Sequence, residues 1–243
     1  MSLITKAYKI YREKGVRFLL RRTVHFVYFG ILRPRFPYTT VEYNGVTVRS
    51  AKLFDRYVPG QRADRPSYES GIIDALESHV DRGDSVVVIG GGRGVTTVHA
   101  AWNAGGAGSV IVYEGSKEMI SRIAETLALN RVGDCVALRN AVVGRGVDVW
   151  GEATDNVVHP SDLPECDVLV LDCEGAEMDV LAEMTIRPRV IVAETHGLYD
   201  APSGEVAALL EERVYTVTNQ TVADRGLEEI CKKDDIKVMT AIR

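Results

Sequence analysis

Several things are scarce in this chain, and each scarcity excludes something. Cysteine is one: there are only Cys135, Cys166, Cys173 and Cys231, and no two are spaced C-x-x-C, so the usual zinc-site pattern is missing. Spacing alone leaves disulfide pairing open. The reading adopted is of reduced thiols in or beside the core of a cytoplasmic protein. Long apolar runs are missing too. The longest candidate, Val24 to Leu32, contains His25 and Gly30 and falls short of the roughly 18 residues that a membrane span needs. An apolar run that starts this late, with no small-residue cleavage site behind it, also argues against a secretory signal. There is no internal repeat and no low-complexity tract. Finally, positive charge is scarce outside one segment. The net charge of −5 conceals nine Lys or Arg against Glu13 alone in residues 1–35, a balance of +8, and twenty bases against thirty-three acids in the remainder, a balance of −13. So acidic a body excludes a broad nucleic-acid-binding surface there.

What is present is a chain of 243 residues, 46% of them apolar, enough to bury a substantial core. Residues 3–32 read as helical, with Pro34 and Pro37 closing that region. Val41 to Val48 reads as a hairpin, because Asn44-Gly45 is a strong two-residue turn signal. A polar loop from Pro59 to Pro66 follows, which makes residues 1–65 an N-terminal extension and residues 66–243 the main domain.

From there the pattern alternates. Ser67 is placed to cap a helix from Tyr68 to His79. Ser85 to Ile89 is a continuous apolar run, as expected of a strand buried on both faces. A glycine loop and a helix from Val95 to Ala104 come next. Then follow a strand at Val110 to Tyr113, a helix capped by Ser116 and running to Leu129, and a strand at Val136 to Leu138. Strands at Val168 to Leu171 and Val190 to Ala193 bracket a helix from about Ala176 to Met184, and a further helix spans Glu205 to Arg213. The last two strands, Val214 to Val217 and Lys237 to Ile242, have room between them only for a short helix at Glu228 to Lys233, so the final strand is expected to return antiparallel. The sum is an α/β fold, a Rossmann-like doubly wound sheet of about seven strands, mostly parallel with the last one reversed.

A glycine-rich turn between a strand and a helix is a standard place for a nucleotide cofactor, because glycine lets the backbone turn tightly and lets a ligand come close, while the helix start offers free N–H groups. Gly90, Gly92 and Gly94 form such a loop; by itself this signal is weak. Glu114 strengthens it. It closes the next strand twenty residues after Gly94, where a carboxylate can accept both ribose hydroxyls of an adenosine-type cofactor. A dinucleotide loop usually reads G-x-G-x-x-G, and here Val95 stands in the place of the third glycine.

At this point the sequence resembles the FkbM-type family of class I S-adenosylmethionine-dependent methyltransferases, over roughly residues 67–200 and more weakly to the end. Tyr68-Glu69 resembles that family's Y-E element, Val86 to Gly94 its first motif, Val110 to Glu114 the strand ending in the ribose acid, and Asn140-Ala141-Val142 the segment lining adenine. Most specific is Leu171-Asp172-Cys173-Glu174-Gly175-Ala176-Glu177, followed by Val180-Leu181, which is similar to the D-x-E-G-A-E signature; Ala193-Glu194-Thr195-His196 resembles the next motif. Two positions depart from the pattern. Val88 stands where the family carries an acid for the methionyl ammonium, a role Glu69 or Asp172 could take over, and Gly115 replaces a proline.

The resemblance implies S-adenosyl-L-methionine as cofactor, held by Tyr68, Glu69, Gly90, Gly92, Gly94, Glu114, Asn140, Ala141 and Asp172, and O-methylation of a sugar, glycan or natural-product hydroxyl. Glu174, Glu194 and His196 fall at strand ends on the sheet's carboxyl edge, where open α/β folds bind ligands; they are the candidates to bind the acceptor or take its proton. Each has a plainer alternative. Glu174 and Glu177 could cap their helix, His196 could bond to backbone, and the acids with the histidine could hold Mg²⁺, although the resemblance implies no metal. An NAD-dependent oxidoreductase and a non-catalytic scaffold remain as alternatives. In the extension, Lys6, Lys9, Arg12, Lys14, Arg17, Arg21 and Arg22 alternate with Ile4, Ile10, Phe18, Leu19 and Phe26. Such a helix could lie on an anionic membrane surface, or pack on the acidic body or on a second subunit of a homo-oligomer.

Overall fold

The computed structural model describes residues 12, 15, 16, 20, 23, 24, 26–57, 63–144 and 152–243. Most of the basic alternation in residues 1–25 and part of the Pro59 to Pro66 loop therefore lie outside the described residues. No helix among the described residues is long and apolar enough to cross a membrane. The chain divides into two compact units, Met1–Val41 with Ser50–Ala63, and Glu42–Arg49 with Asp64–Arg243.

In the first unit, a π-helical turn at Tyr28–Leu32 runs into a 3-10 turn at Arg33–Arg35 that contains Pro34. A further 3-10 turn, Asp55–Tyr57, brings the buried Asp55 to Tyr28 and Arg33. The Tyr28 hydroxyl donates to Asp55 at 2.6 Å, the Arg33 guanidinium at 3.0 Å, and the Lys52 backbone N–H at 2.7 Å. Strands β1 (Tyr38–Tyr43) and β2 (Val46–Lys52) form the expected hairpin, whose turn segment, Glu42–Arg49, belongs to the second unit. Asn44 and Gly45 both have positive φ, 46° and 79°, as the two-residue turn that matches strand twist requires.

The second unit carries helix α1 (Ser70–His79), strand β3 (Ser85–Ile89), helix α2 (Val95–Ala104), strand β4 (Ser109–Glu114), helix α3 (Lys117–Asn130) and strand β5 (Val136–Asn140). Two short strands, β6 (Val142–Val143) and β7 (Val157–Val158), pair with each other. Strand β8 (Val168–Leu171), helix α4 (Glu177–Glu183), strand β9 (Val190–Glu194), helix α5 (Ser203–Glu212), strand β10 (Thr216–Val222), helix α6 (Glu228–Lys233) and strand β11 (Lys237–Ile242) complete it. The seven-stranded sheet has the order β10-β11-β9-β8-β3-β4-β5. Neighbours from β9 to β5 are parallel, and β11 is antiparallel to both β9 and β10. Six residues of α6 are too few to carry the chain back for a parallel crossover, so the last strand returns reversed, as the sequence predicts.

The core follows from the apolar runs. Val86, Val87, Val88 and Ile89 in β3 and all of β8 are 2% exposed or less, as central parallel strands covered on both faces must be; each such side chain stabilises by about 1.5–3 kcal/mol on burial. Gly71 lets α1 lie against the sheet, since a Cβ there would meet the Val222 carbonyl at 2.7 Å and Val238 Cγ2 at 2.9 Å. Two sequence expectations shift. Helix α1 starts at Ser70, after Tyr68 and Glu69: Glu69 sits in the left-handed region at φ 50°, outside the helix, and the Ser67 hydroxyl donates to Asp224. Strand β10 spans Thr216–Val222 and not Val214 to Val217.

Candidate functional site

The chain leaves β3 toward β4 and later returns on the other side of it through β8, so strand order reverses between β3 and β8. The loops at their carboxyl ends must part there, leaving a crevice. A cavity of about 380 Å³ lies at that point, lined among others by Tyr68, Glu69, Gly90, Gly92, Glu114, Ala141, Asp172 and Glu174. Eight of the residues expected from the sequence thus meet in one cavity. Four do not line it: Gly94, Asn140, Glu194 and His196.

The glycine loop is shaped by close approaches. Gly90 has φ +89°, and a Cβ on it would stand 1.7 Å from the Asp172 carbonyl oxygen; at Gly91 it would meet Ile123 Cδ1 at 2.5 Å. Gly94 starts α2 with φ +84° and faces α3, where Ile123 Cα and Thr126 Cβ would each be 3.3 Å from a Cβ. Its role is to seat the loop on α3. Gly92 is the open one: the nearest atom to its Cβ position is Glu69 Oε1 at 3.7 Å.

Glu114 holds this loop. Its Oε2 accepts the backbone N–H groups of Gly91 at 3.1 Å and Gly92 at 3.2 Å, and its Oε1 accepts that of Ser116 at 2.7 Å. Burial raises its pKa despite those three donors. A carboxylate has about four lone-pair sites, so acceptor capacity is left over. Asn140 acts one step back, donating from Nδ2 to the Glu114 carbonyl at 2.9 Å. Glu69, in the left-handed region at φ 50°, accepts from the Thr96 hydroxyl at 2.7 Å. Burial pushes its carboxyl up against the pull of the Thr96 and Tyr68 hydrogen bonds. The Tyr68 ring lies 4.4 Å from the Arg65 guanidinium and 4.9 Å from the Tyr43 ring.

Asp172 connects the crevice to a second, buried group of charges. Its carboxyl is pushed up to about 7 by burial, with the His196 charge opposing and Glu69, Glu177 and Glu174 pushing further. Glu194 is raised well above the usual range by burial and then by Asp172 and Glu69. His196 Nε2 is 3.6 Å from Asp172 Oδ1 and 3.6 Å from Glu194 Oε1. Its Nδ1 is 2.9 Å from Glu177 Oε1, so the backbone-bonded alternative for this ring gives way to a carboxylate partner. Burial works against the imidazolium, but the Glu177 hydrogen bond and the surrounding carboxylates outweigh it and leave His196 raised.

Glu177 opens α4, but its carboxyl ties down the loop before the helix and does not cap it: Oε1 accepts from Cys173 N at 3.0 Å and Oε2 from Gly175 N at 2.7 Å. Its grip on His196, nineteen residues away, had no signal in the sequence. Nor did the crevice roles of Arg65, Arg93 and Met119. Val88 is wholly buried in β3 and absent from the crevice lining.

No family model matches the chain, and no curated protein does. Solved structures do. One is a ribosomal protein L11 methylase from Lactobacillus delbrueckii subsp. bulgaricus, 15% identical, with 74% of this chain and 80% of that one covered and a TM-score of 0.51. Another is a Pyrococcus horikoshii protein provisionally assigned as an RNA methyltransferase, 15% identical over 81% of this chain and 91% of that one, TM-score 0.51. At such identities the likeness shows the fold: the chain has the fold of class I S-adenosylmethionine-dependent methyltransferases.

Proposed function

We propose that the chain binds S-adenosyl-L-methionine in this crevice and methylates a hydroxyl of a sugar, glycan or natural product, as an FkbM-type enzyme. The observation that carries the reading is the convergence of the glycine loop, Glu114 and Asp172 on one cavity. The cavity fits the cofactor chemically. Glu114, with acceptor capacity to spare, suits the ribose hydroxyls; Ile89, Tyr113, Met119, Ala141 and Val143 supply an apolar wall for a purine. Gly92 leaves room for a ligand to approach the backbone. Glu69 and Asp172 serve the methionyl ammonium in place of an acid at Val88: a cationic ligand favours the charged carboxylates that burial disfavours.

When bound, the cofactor supplies an electrophilic methyl group on positively charged sulfur. The protein's task is to align an acceptor and shield it from water. Glu174, in the crevice wall, binds acceptor hydroxyls. His196, oriented by Glu177, is the candidate to take the hydroxyl proton, by way of Asp172, which lines the crevice and stands 3.6 Å from its Nε2; Glu194 faces the same nitrogen.

Calorimetry of the full chain with S-adenosylmethionine, its demethylated product and NAD tests the cofactor. Binding of the first two without NAD is expected. Binding of NAD alone points to an oxidoreductase, and binding of none to a scaffold. Full turnover in both His196→Ala and Glu194→Ala would overturn their roles.

A further inference from the structure

We infer that Asp172, Glu194 and His196 form a binding site for a divalent transition-metal ion of the Mn²⁺ to Zn²⁺ range. The inference goes beyond the methyl-transfer reading and stands without it.

One ligand atom from each of the three residues lies within 4.8 Å of the other two. The pairs at 3.6 Å, Nε2 to Asp172 Oδ1 and Nε2 to Glu194 Oε1, are too long for hydrogen bonds. They are close to the spacing of ligands around a small cation: an ion ~2.1 Å from each of three tetrahedral ligands separates them by about 3.4 Å. The His196 side chain is nine-tenths buried, at 10% exposure, and the Asp172 and Glu194 carboxylates face its Nε2 without forming a hydrogen bond to it among the described residues.

The residue behind the histidine supplies an independent argument. Glu177, fully buried, takes three donors: the N–H groups of Cys173 and Gly175 and His196 Nδ1. Two backbone N–H groups fix its position and favour its charge. A fixed carboxylate on Nδ1 sets the tautomer that presents the Nε2 lone pair, the carboxylate–histidine–metal arrangement of protein metal sites. Asp172, Glu177 and Glu194 surround one imidazole, and a bound cation would favour the charged forms of the carboxylates that burial disfavours. One imidazole with two carboxylates suits Mn²⁺, Fe²⁺ or Zn²⁺ better than Ca²⁺ or Mg²⁺, which prefer all-oxygen shells. Three protein ligands leave positions open for water or a substrate oxygen.

The test uses the full chain, stripped with chelator and free of S-adenosylmethionine, so that it is independent of whether the protein is a methyltransferase. Mn²⁺ is titrated by calorimetry and by electron paramagnetic resonance, with Zn²⁺ as competitor. The expected result is one ion per chain, displaced by Zn²⁺, with pulsed resonance showing one coupled imidazole nitrogen. Glu194→Gln, nearly the same shape, should weaken binding at least ~100-fold. Glu177→Gln should weaken it by about 10- to 100-fold through the histidine, and Glu228→Gln on the exposed α6 should change nothing. Circular dichroism checks that each variant is folded; should Glu177→Gln fail, Glu194→Gln with the nitrogen coupling decides. No stoichiometric uptake at millimolar Mn²⁺, uptake equal in Glu194→Gln, or uptake without nitrogen coupling would each overturn the site.

Discussion

At the residue scale, Glu114 has two duties. It satisfies three backbone N–H groups, those of the buried Gly91 and Ser116 and the half-buried Gly92, and it keeps an acceptor face for a ligand. Glu114→Ala should therefore weaken binding of the demethylated cofactor product at least ~10-fold and also cost about 1–3 kcal/mol of stability; calorimetry and denaturant melts read the two separately. Binding unchanged beside a lowered stability would reduce Glu114 to a loop brace. The glycines divide by the space around them. Gly90→Ala drives a Cβ to 1.7 Å from the Asp172 carbonyl, so the variant must break the β3–β8 junction and should fail to give folded protein. Gly92→Ala meets no such wall and carries only the cost of a left-handed φ of +49°, about 1–2 kcal/mol. Equal expression and melting of the two variants would contradict the loop geometry. The sequence marks Glu114, Asp172 and the glycines because their chemistry is tied to strand ends. It hides the part of Glu177 that matters most, because the pairing with His196 joins α4 to the loop after β9 and only the folded sheet brings those together.

At the scale of elements, legibility follows burial. Strands β3 and β8 were readable as unbroken apolar runs because both their faces are covered. Strand β10 lies at the sheet's edge, with Thr218, Asn219 and Gln220 exposed, so most of it reads as loop. The start of α1 falls three residues after the nominal cap, Ser67, because Glu69 is left-handed at φ 50°; Ser67 bonds instead to Asp224, 157 residues away, a contact that no local pattern records. Where a cap has no rival the local signal holds: Ser116 is buried and its hydroxyl oxygen accepts from Met119 N at 3.2 Å. Ser116→Ala should lower stability by about 1 kcal/mol and speed hydrogen exchange in the first turn of α3. No change in either would mean the turn is held by packing alone.

At the scale of the whole molecule, the two units draw on different forces, and acid should tell them apart. The larger unit rests on an apolar core built around seven strands. Among the described residues of the smaller one, few apolar side chains are buried, namely Tyr28, Val41 and Ala51, and the buried charge of Asp55 binds its turns together. Burial opposes that charge, but Arg33, Tyr28 and the Lys52 N–H outweigh it and hold the Asp55 carboxyl below its usual range. A carboxylate with a lowered folded pKa stabilises fully above its unfolded value, near 3.9, and loses that contribution as pH falls through the folded value. Hydrogen exchange read by mass spectrometry should therefore show residues 28–41 and 50–57 losing protection on acidification below about pH 4, the intrinsic exchange rate having been corrected for. Asp55→Asn removes the titrating group. It should weaken the segment at neutral pH by about 2 kcal/mol, since Arg33 and Tyr28 lose a charged partner, and flatten the acid response. If the variant kept the full acid-dependent loss, the pH sensitivity would have to come from another carboxylate, and the Asp55 knot would be structural without being the unit's electrostatic anchor.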